Sequence, residues 1–285
     1  MPAYENRYWT SADGLKLHYR YYSGDMMKAP LLCLPGLTRN ARDYDALAAR
    51  LAGSRQILAV NLRGRGGSEY ARDPMTYVPA TYVEDVQRLI AELELTRAIA
   101  VGTSLGGIVT MLLKAAGAPI VGAIINDVGP DIDPRGLSRI RSYVGRGSAF
   151  PTWMHAARAV QDTNADVYPD WGIEEWLAMA KRLYRLTSSG RIVLDYDLKI
   201  AEPFRVPGGE AGPDMWAALT SLSDVPVLVV RGGRSDVLSS ETAERMLAAL
   251  GQGELVTVPG VGHTPTLVEP MLQASVDRLL ARADG

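Results

Sequence analysis

Residues 98–107 read AIAVGTSLGG, and this stretch decides the fold. Its first four residues form a short apolar run, which predicts a strand buried on both faces. A serine between two glycines follows, at Gly102-Thr103-Ser104-Leu105-Gly106, and a helical pattern then extends to Ala116. A serine at a tight strand-to-helix turn stands above the edge of the sheet, beside the N–H groups that begin the helix. We predict that Ser104 is a catalytic nucleophile; the alternative is that it only caps the helix.

The same alternation of short apolar runs and helical patterns continues on both sides of this stretch. Asp13-Gly14 predicts a tight turn between two N-terminal strands. Further buried strands are predicted at 31–34, 57–60, 121–125, 225–230 and 255–258, with helices at 41–51, 80–93, 241–250 and 271–282. Repeated strand–helix units predict an α/β fold with a mostly parallel twisted sheet and helices on both faces.

The alternation stops between residues 131 and 223. This segment holds four of the five tryptophans and has helical patterns at 137–144, 153–161 and 173–186. We predict a mostly helical lid, 131–223, inserted after the sixth strand into a core made of 1–130 and 224–285. One interrupted sheet is favoured over two domains because the sheet needs its last strands to complete its core.

A serine hydroxyl needs a base, and the chain has three histidines, His18, His155 and His263. His263 lies in a glycine-rich loop directly after the last predicted strand, so it shares the sheet edge at which Ser104 stands. The imidazole in turn needs an acid. Asp236 is preferred because it follows a strand and lies between Ser104 and His263 in chain order. Asp127, after the preceding strand, is the alternative.

An acyl-transfer site also needs two backbone donors for the developing negative charge. The N–H of Leu105, next to the serine, is the first candidate. The second is the N–H of Leu37, which follows the tight Pro35-Gly36 turn after the first parallel strand.

Composition and charge exclude several classes of protein. Lys and Arg number 30 against 32 Asp and Glu, for a net charge of −2, so we expect no nucleic acid partner and no attraction to an anionic membrane. No apolar run is long enough to span a bilayer, and residues 1–7 lack the apolar core of a secretory signal. With a single cysteine, Cys33, these features predict a cytoplasmic protein, as a monomer or a homodimer. The dispersed histidines give no metal-ligand spacing and no nucleotide fingerprint is present, so we expect no metal and no cofactor.

Together these motifs resemble those of the α/β-hydrolase superfamily, in its lid-bearing branch of esterases, lactonases and C–C bond hydrolases. The resemblance covers nearly the whole chain and rests on segments 34–37, 61–68, 102–107, 231–236 and 260–263. Two positions differ from the common pattern: Pro35 stands where the family often has histidine, and Asn61 where it often has aspartate. A serine nucleophile argues against the epoxide hydrolases and haloalkane dehalogenases of this fold.

The resemblance implies an α/β-hydrolase fold and a serine hydrolase that cleaves a small-molecule carboxylic ester or lactone through an acyl-enzyme. The alternatives are a C–C bond hydrolase acting on a vinylogous diketone, a non-hydrolytic enzyme such as a lyase or perhydrolase, and a ligand-binding receptor-like protein. Lids of this type roof an apolar pocket. The residues that we expect to line it are Arg39, Tyr143, Trp153, Trp176 and Tyr184.

Overall fold

The computed structural model describes residues 3–205 and 213–285, and it contains one large sheet and one small one. The strands are β1 (Glu5–Thr10), β2 (Lys16–Tyr22), β3 (Leu31–Leu34), β4 (Ile57–Asn61), β5 (Ala98–Thr103), β6 (Ile120–Asn126), β7 (Ala149–Phe150), β8 (Tyr184–Leu186), β9 (Ile192–Leu194), β10 (Val227–Gly232) and β11 (Gly253–Val258). The helices are α1 (Asp45–Leu51), α2 (Pro79–Glu92), α3 (Leu105–Ala115), α4 (Pro134–Tyr143), α5 (Trp153–Asn164), α6 (Ile173–Leu183), α7 (Met215–Thr220), α8 (Ser240–Leu250) and α9 (Gln273–Asp284).

The large sheet has eight strands in the order β1-β2-β4-β3-β5-β6-β10-β11. The hairpin β1–β2 is antiparallel, β2 pairs antiparallel with β4, and all later neighbours are parallel. The predicted mostly parallel sheet is therefore confirmed. The carboxyl ends of β3, β5, β6, β10 and β11 all point to one edge, and that edge carries the loops of the candidate site.

Helices cover both faces because alternate residues of the central strands point in opposite directions. In β3, Leu31 and Cys33 belong to an apolar cluster with α1 and α9, whereas Leu32 and Leu34 belong to a second cluster with α2, α3 and α8. All four residues are at most 1% exposed. A strand buried on both sides reads as a continuous apolar run, which is why the sequence revealed these strands.

Between β6 and β10 the chain forms a separate layer with its own small core. Helices α5 and α6 pack on each other through Ala157, Val160, Trp176 and Ala180, and α4 precedes them. This segment also contains the antiparallel sheet β7-β9-β8, which the sequence analysis did not predict. Residues 184–186 were expected at the end of a helix. In the structure α6 ends at Leu183, and 184–186 form β8 because they pair antiparallel with β9.

Helix α7 lies within the predicted lid by residue number but packs with the core. Ala218 and Leu219 join the apolar cluster that holds α3 and the sheet, and Trp216 lies against the guanidinium of Arg245 on α8. This packing favours an end to the insertion earlier than residue 223. Residues 206–212 of the predicted lid lie outside the described residues. Within 3–205 and 213–285 no helix combines the length and apolarity needed to cross a bilayer.

His18 on β2 joins the N-terminal hairpin to the loop after β4. Its Nε2 lies 2.8 Å from Asn6 Oδ1, its Nδ1 lies 2.7 Å from Asn61 Nδ2, and its backbone N–H donates to Ser68 Oγ. These bonds suit a neutral imidazole that donates through Nε2 and accepts at Nδ1. Asn61, which replaces the family's common aspartate, also accepts the N–H of Ala41.

The burial of His18 predicts a pH-dependent stability. Burial lowers the pKa of His18 from 6.5 to about 4 because it disfavours the charged imidazolium. Between pH 6.5 and 4, His18 is therefore protonated in the unfolded chain but remains neutral in the folded chain. We expect the free energy of unfolding to fall as the pH drops from 6.5 to 4, with His18 contributing up to about 1.4 kcal/mol per pH unit. Urea unfolding across this range should show a shallower pH dependence for His18→Gln than for the wild type, and parallel curves would contradict the prediction.

Candidate active site

Ser104 stands at the sharp turn between β5 and α3. Its φ of 52° lies in the left-handed region, which a residue with a side chain rarely adopts, so the surroundings must hold it there. A Cβ at Gly106 would overlap the carbonyl oxygen of Leu34, and one at Gly102 would overlap the carbonyl oxygen of Gly106. Only glycine at these two positions lets the helix pass the strands closely enough to hold the turn.

His263 approaches Ser104 from the loop after β11. The two residues meet with His263 Nε2 2.9 Å from Ser104 Oγ. The inserted layer supports this loop, because Gly262 N–H donates to the carbonyl of Val167 and the Tyr168 hydroxyl donates to the carbonyl of Thr264. The predicted pair of serine and histidine is thus brought together across 159 residues of sequence.

Asp127 is the carboxylate that contacts this imidazole. It follows β6 directly, is fully buried, and places Oδ2 2.8 Å from His263 Nδ1. Its Oδ1 accepts the N–H of Gly232 at 2.8 Å, and its own N–H donates to the carbonyl of Val230. Strand β10 therefore holds the aspartate in place. With Nδ1–H donated to Asp127, Nε2 is the nitrogen left to accept a proton from Ser104.

The preference for Asp236 as the partner of His263 is wrong, and the alternative residue Asp127 occupies that position. Asp236 instead forms a two-pronged ion pair with Arg139 on α4, with 2.8 Å between Arg139 Nη2 and Asp236 Oδ1. Its loop turns toward α4 so closely that a Cβ at Gly136 would overlap the carbonyl oxygen of Asp236. The Arg139 guanidinium holds the pKa of the Asp236 carboxyl below its usual range.

Leu37 and Leu105 lie where the two backbone donors were predicted. Leu105 is the first residue of α3, and Leu37 follows the turn after β3. Among the described residues neither N–H has a hydrogen-bond acceptor, so both are available to a ligand. Arg65, fully buried, fixes the Leu37 loop because its Nε donates to the Leu37 carbonyl at 2.9 Å and its Nη1 donates to the carbonyl of Arg63.

A cavity of about 520 Å³ lies over Ser104 and His263, roofed by α4, α5, β8 and β9. Arg39, Tyr143 and Tyr184 line it, as the sequence analysis expected. Trp153 and Trp176 do not. Trp176 is 1% exposed and Trp153 packs against the same apolar cluster, because α5 and α6 direct these aromatic side chains into their own small core.

Sequence reasoning missed three residues of this site. Asn126 is fully buried, and its Nδ2 donates to Thr103 Oγ1 and to the carbonyl of Pro265, which joins the serine strand to the histidine loop. Arg139 and Arg146 line the cavity beside Ser104. The sequence shows that α4 and the residues just after it are rich in arginine. No spacing rule predicts which of these arginines line the cavity.

The remaining titratable groups of the site do not form a metal centre. In the part of the chain that the structure describes, no three His, Cys, Asp or Glu side chains converge as metal ligands would. The chemistry that this arrangement supports is proton transfer from Ser104 to His263, with Asp127 orienting the imidazole, next to two backbone N–H groups that have no acceptor among the described residues.

The alpha/beta hydrolase family model matches residues 31–276, and the chain belongs to this family. A crystal structure of an alpha/beta hydrolase from Novosphingobium aromaticivorans superimposes with a TM-score of 0.94 at 56% identity, over 99% of each chain. The α/β-hydrolase fold implied by the sequence motifs is therefore confirmed.

Two curated hydrolases are also similar over most of their length. The 3-hydroxybutyrate-oligomer hydrolase of Cupriavidus necator is 35% identical over 250 residues, which is 84% of each chain. The 2-(acetamidomethylene)succinate hydrolase of Mesorhizobium japonicum is 26% identical over 243 residues, 84% of this chain and 83% of that one. The family and these relatives assign the chain to the hydrolases.

The different surroundings of Asp127 and Asp236 give a direct prediction. Asp127→Asn should lower kcat of the hydrolase by about 10⁴-fold, because the amide neither stabilises the imidazolium nor fixes the correct tautomer. Asp236→Asn, which removes no contact with His263, should lower kcat far less. Steady-state kinetics of both variants, with thermal unfolding to verify folding, decide between the two carboxylates. A larger loss in Asp236→Asn would reverse the assignment.

Proposed function

We propose that this protein is a serine hydrolase that cleaves a small-molecule carboxylic ester through an acyl-enzyme. The observation that carries the proposal is the hydrogen-bonded chain from Ser104 Oγ through His263 to Asp127, at the floor of a cavity of about 520 Å³. That volume is within the range that encloses a small ligand. The strained turn at Ser104 and the two unoccupied N–H groups at Leu37 and Leu105 support the same conclusion.

Each group has a defined part in this reaction. Ser104 Oγ attacks the ester carbonyl carbon as its proton passes to His263 Nε2, and the Leu37 and Leu105 N–H groups bind the oxygen that becomes negative. His263 then gives the proton to the departing alcohol, which leaves the acyl group on Ser104. A water molecule, deprotonated by His263, attacks the acyl carbon and releases the acid and free Ser104. Asp127 stabilises the imidazolium in both halves.

The similarity to a 3-hydroxybutyrate-oligomer hydrolase supports an ester as the bond cleaved, since an oligomer of a hydroxy acid is joined by esters. A lactone is a cyclic ester and would use the same residues in the same order. The segment from α4 to β9 acts in this proposal as a cap, because it closes the cavity above Ser104 and limits the size of the ester that enters.

An organophosphonate that traps activated serines tests the proposal. We expect one covalent adduct on the wild-type chain, located on Ser104 by peptide mass spectrometry, and none on Ser104→Ala. Ser142→Ala is the matched control, because Ser142 lines the same cavity without contacting His263, and it should still be labelled. Ser104→Ala should also lower kcat on a short-chain ester by about 10⁶-fold. A folded wild-type chain that gives neither adduct nor turnover would overturn the proposal.

A further inference from the structure

The cavity over Ser104 has a positively charged lining. Three arginines line it, Arg39, Arg139 and Arg146, and of its lining residues in 3–205 and 213–285 none is acidic. Arg39 is held by Asp43, with both Nε and Nη2 at 2.6 Å from the carboxylate oxygens. Arg139 is held by Asp236. Two of the three lining arginines therefore have an aspartate partner, and the charge of the third has none among the described residues.

Arg146 carries that uncompensated charge. It is exposed, three residues beyond the end of α4, and among the described residues no carboxylate lies within 4.0 Å of its guanidinium. An arginine that lines a cavity, with no carboxylate partner in 3–205 and 213–285, attracts an anion and offers it hydrogen-bond donors.

Arg139 is neutralised by Asp236, and what it can contribute to a ligand is a set of hydrogen-bond donors in a fixed orientation. Asp236 takes its Nε–H and one N–H of Nη2, which leaves three of the five guanidinium N–H groups. The Arg139 side chain is 32% exposed, and Arg139 lines the same cavity as Ser104. A guanidinium already fixed in place loses less conformational entropy when it binds a carboxylate than a mobile one does.

Asp236 is itself anchored. The Asp133 N–H at the start of α4 donates to the carbonyl of Val237 at 3.0 Å, and Gly136 packs against the Asp236 backbone. The backbones of α4 and of the Asp236 loop are therefore already in contact without the ion pair. The main effect of the ion pair is to fix the orientation of the Arg139 guanidinium. Asp236 therefore holds the Arg139 guanidinium in position, although it makes no hydrogen bond with His263.

We propose that the substrates of this cavity are esters that carry a free, ionised carboxylate on their acyl or alcohol part, which Arg139 and Arg146 bind while Ser104 attacks the ester. Arg139 is a specificity-determining residue, and Asp236 is a positioning residue that holds it. The inference rests on the proposed ester hydrolysis, because the carboxylate is recognised relative to the bond that Ser104 cleaves.

Matched substrate pairs that differ by one charge test this inference. Monoethyl adipate and ethyl adipamate place the carboxylate or a neutral amide on the acyl part, and 3-acetoxybutyrate and 3-acetoxybutyramide place it on the alcohol part. For at least one pair we expect wild-type kcat/KM to be roughly tenfold to a hundredfold higher for the carboxylate, as charge-assisted hydrogen bonds give. A ratio near one for both pairs would overturn the inference.

Variants then locate the effect. Arg139→Gln and Arg146→Gln should each lower the carboxylate-to-amide ratio, Arg139→Lys should retain part of it, and Asp236→Asn should lower it mainly through a higher KM for the carboxylate. Arg135→Gln is the matched control, because Arg135 lies on the same helix, is 81% exposed and pairs with Asp133 outside the cavity. Equal losses on both members of a pair in Arg139→Gln and Asp236→Asn would show a structural role only. Arg146 is exposed, so Arg146→Gln remains informative if another variant fails to fold.

A binding measurement separates this inference from the proposed function. Calorimetry with Ser104→Ala should show tighter binding of the carboxylate member of a pair than of the amide, with the difference reduced at high ionic strength. Equal affinities would refute the carboxylate site alone. Absence of turnover in the wild type, with the difference in binding intact, would refute ester hydrolysis alone.

Discussion

The close passage of α3 over β3 is the constraint on which the rest of the site depends. At Gly106 the helix backbone contacts the carbonyl oxygen of Leu34 with no room for a side chain, and Gly102 lies as close to the carbonyl of Gly106. This contact compensates for the unfavourable φ of Ser104, which costs of order 1–3 kcal/mol. Because Leu34 ends β3, the same contact sets the distance between the serine and the Leu37 loop. This packing thus places the candidate nucleophile close to both candidate oxyanion donors, and Arg65 further fixes the Leu37 loop.

The two aspartates that follow neighbouring strands show how surroundings assign roles to identical side chains. The Asp127 carboxylate accepts the backbone N–H of Gly232 on one oxygen and contacts the imidazole with the other, so its charge is directed at His263. Asp236 lies three residues further from the end of its strand than Asp127 does, and there it contacts the guanidinium of Arg139. Arg139 comes from the segment between β6 and β10, so this segment supplies the group that Asp236 contacts in place of the histidine.

The inserted layer does more than cover the cavity. In the loop that carries His263, one backbone N–H donates to the carbonyl of Val167, and one carbonyl accepts the hydroxyl of Tyr168. Asp195 of the same layer pairs with Arg42 of the core, with 2.6 Å between Oδ2 and Nη2. The position of the imidazole therefore depends on the insertion as well as on β11. If this segment is the cap of the proposed function, it cannot move away from the core without also moving the loop that carries His263.

The mostly parallel sheet, the turn at Ser104, the candidate base His263 and the two candidate backbone donors could all be predicted from the sequence. Short continuous apolar runs, a glycine pair and a loop after a strand are local signals, and strand ends of a parallel sheet must meet at one edge. Only the tertiary structure decided between Asp127 and Asp236, removed Trp153 and Trp176 from the cavity, and added Asn126, Arg139 and Arg146. Those outcomes depend on which groups from distant segments come within about 3 Å of one another, the reach of a hydrogen bond, and no local pattern encodes that distance.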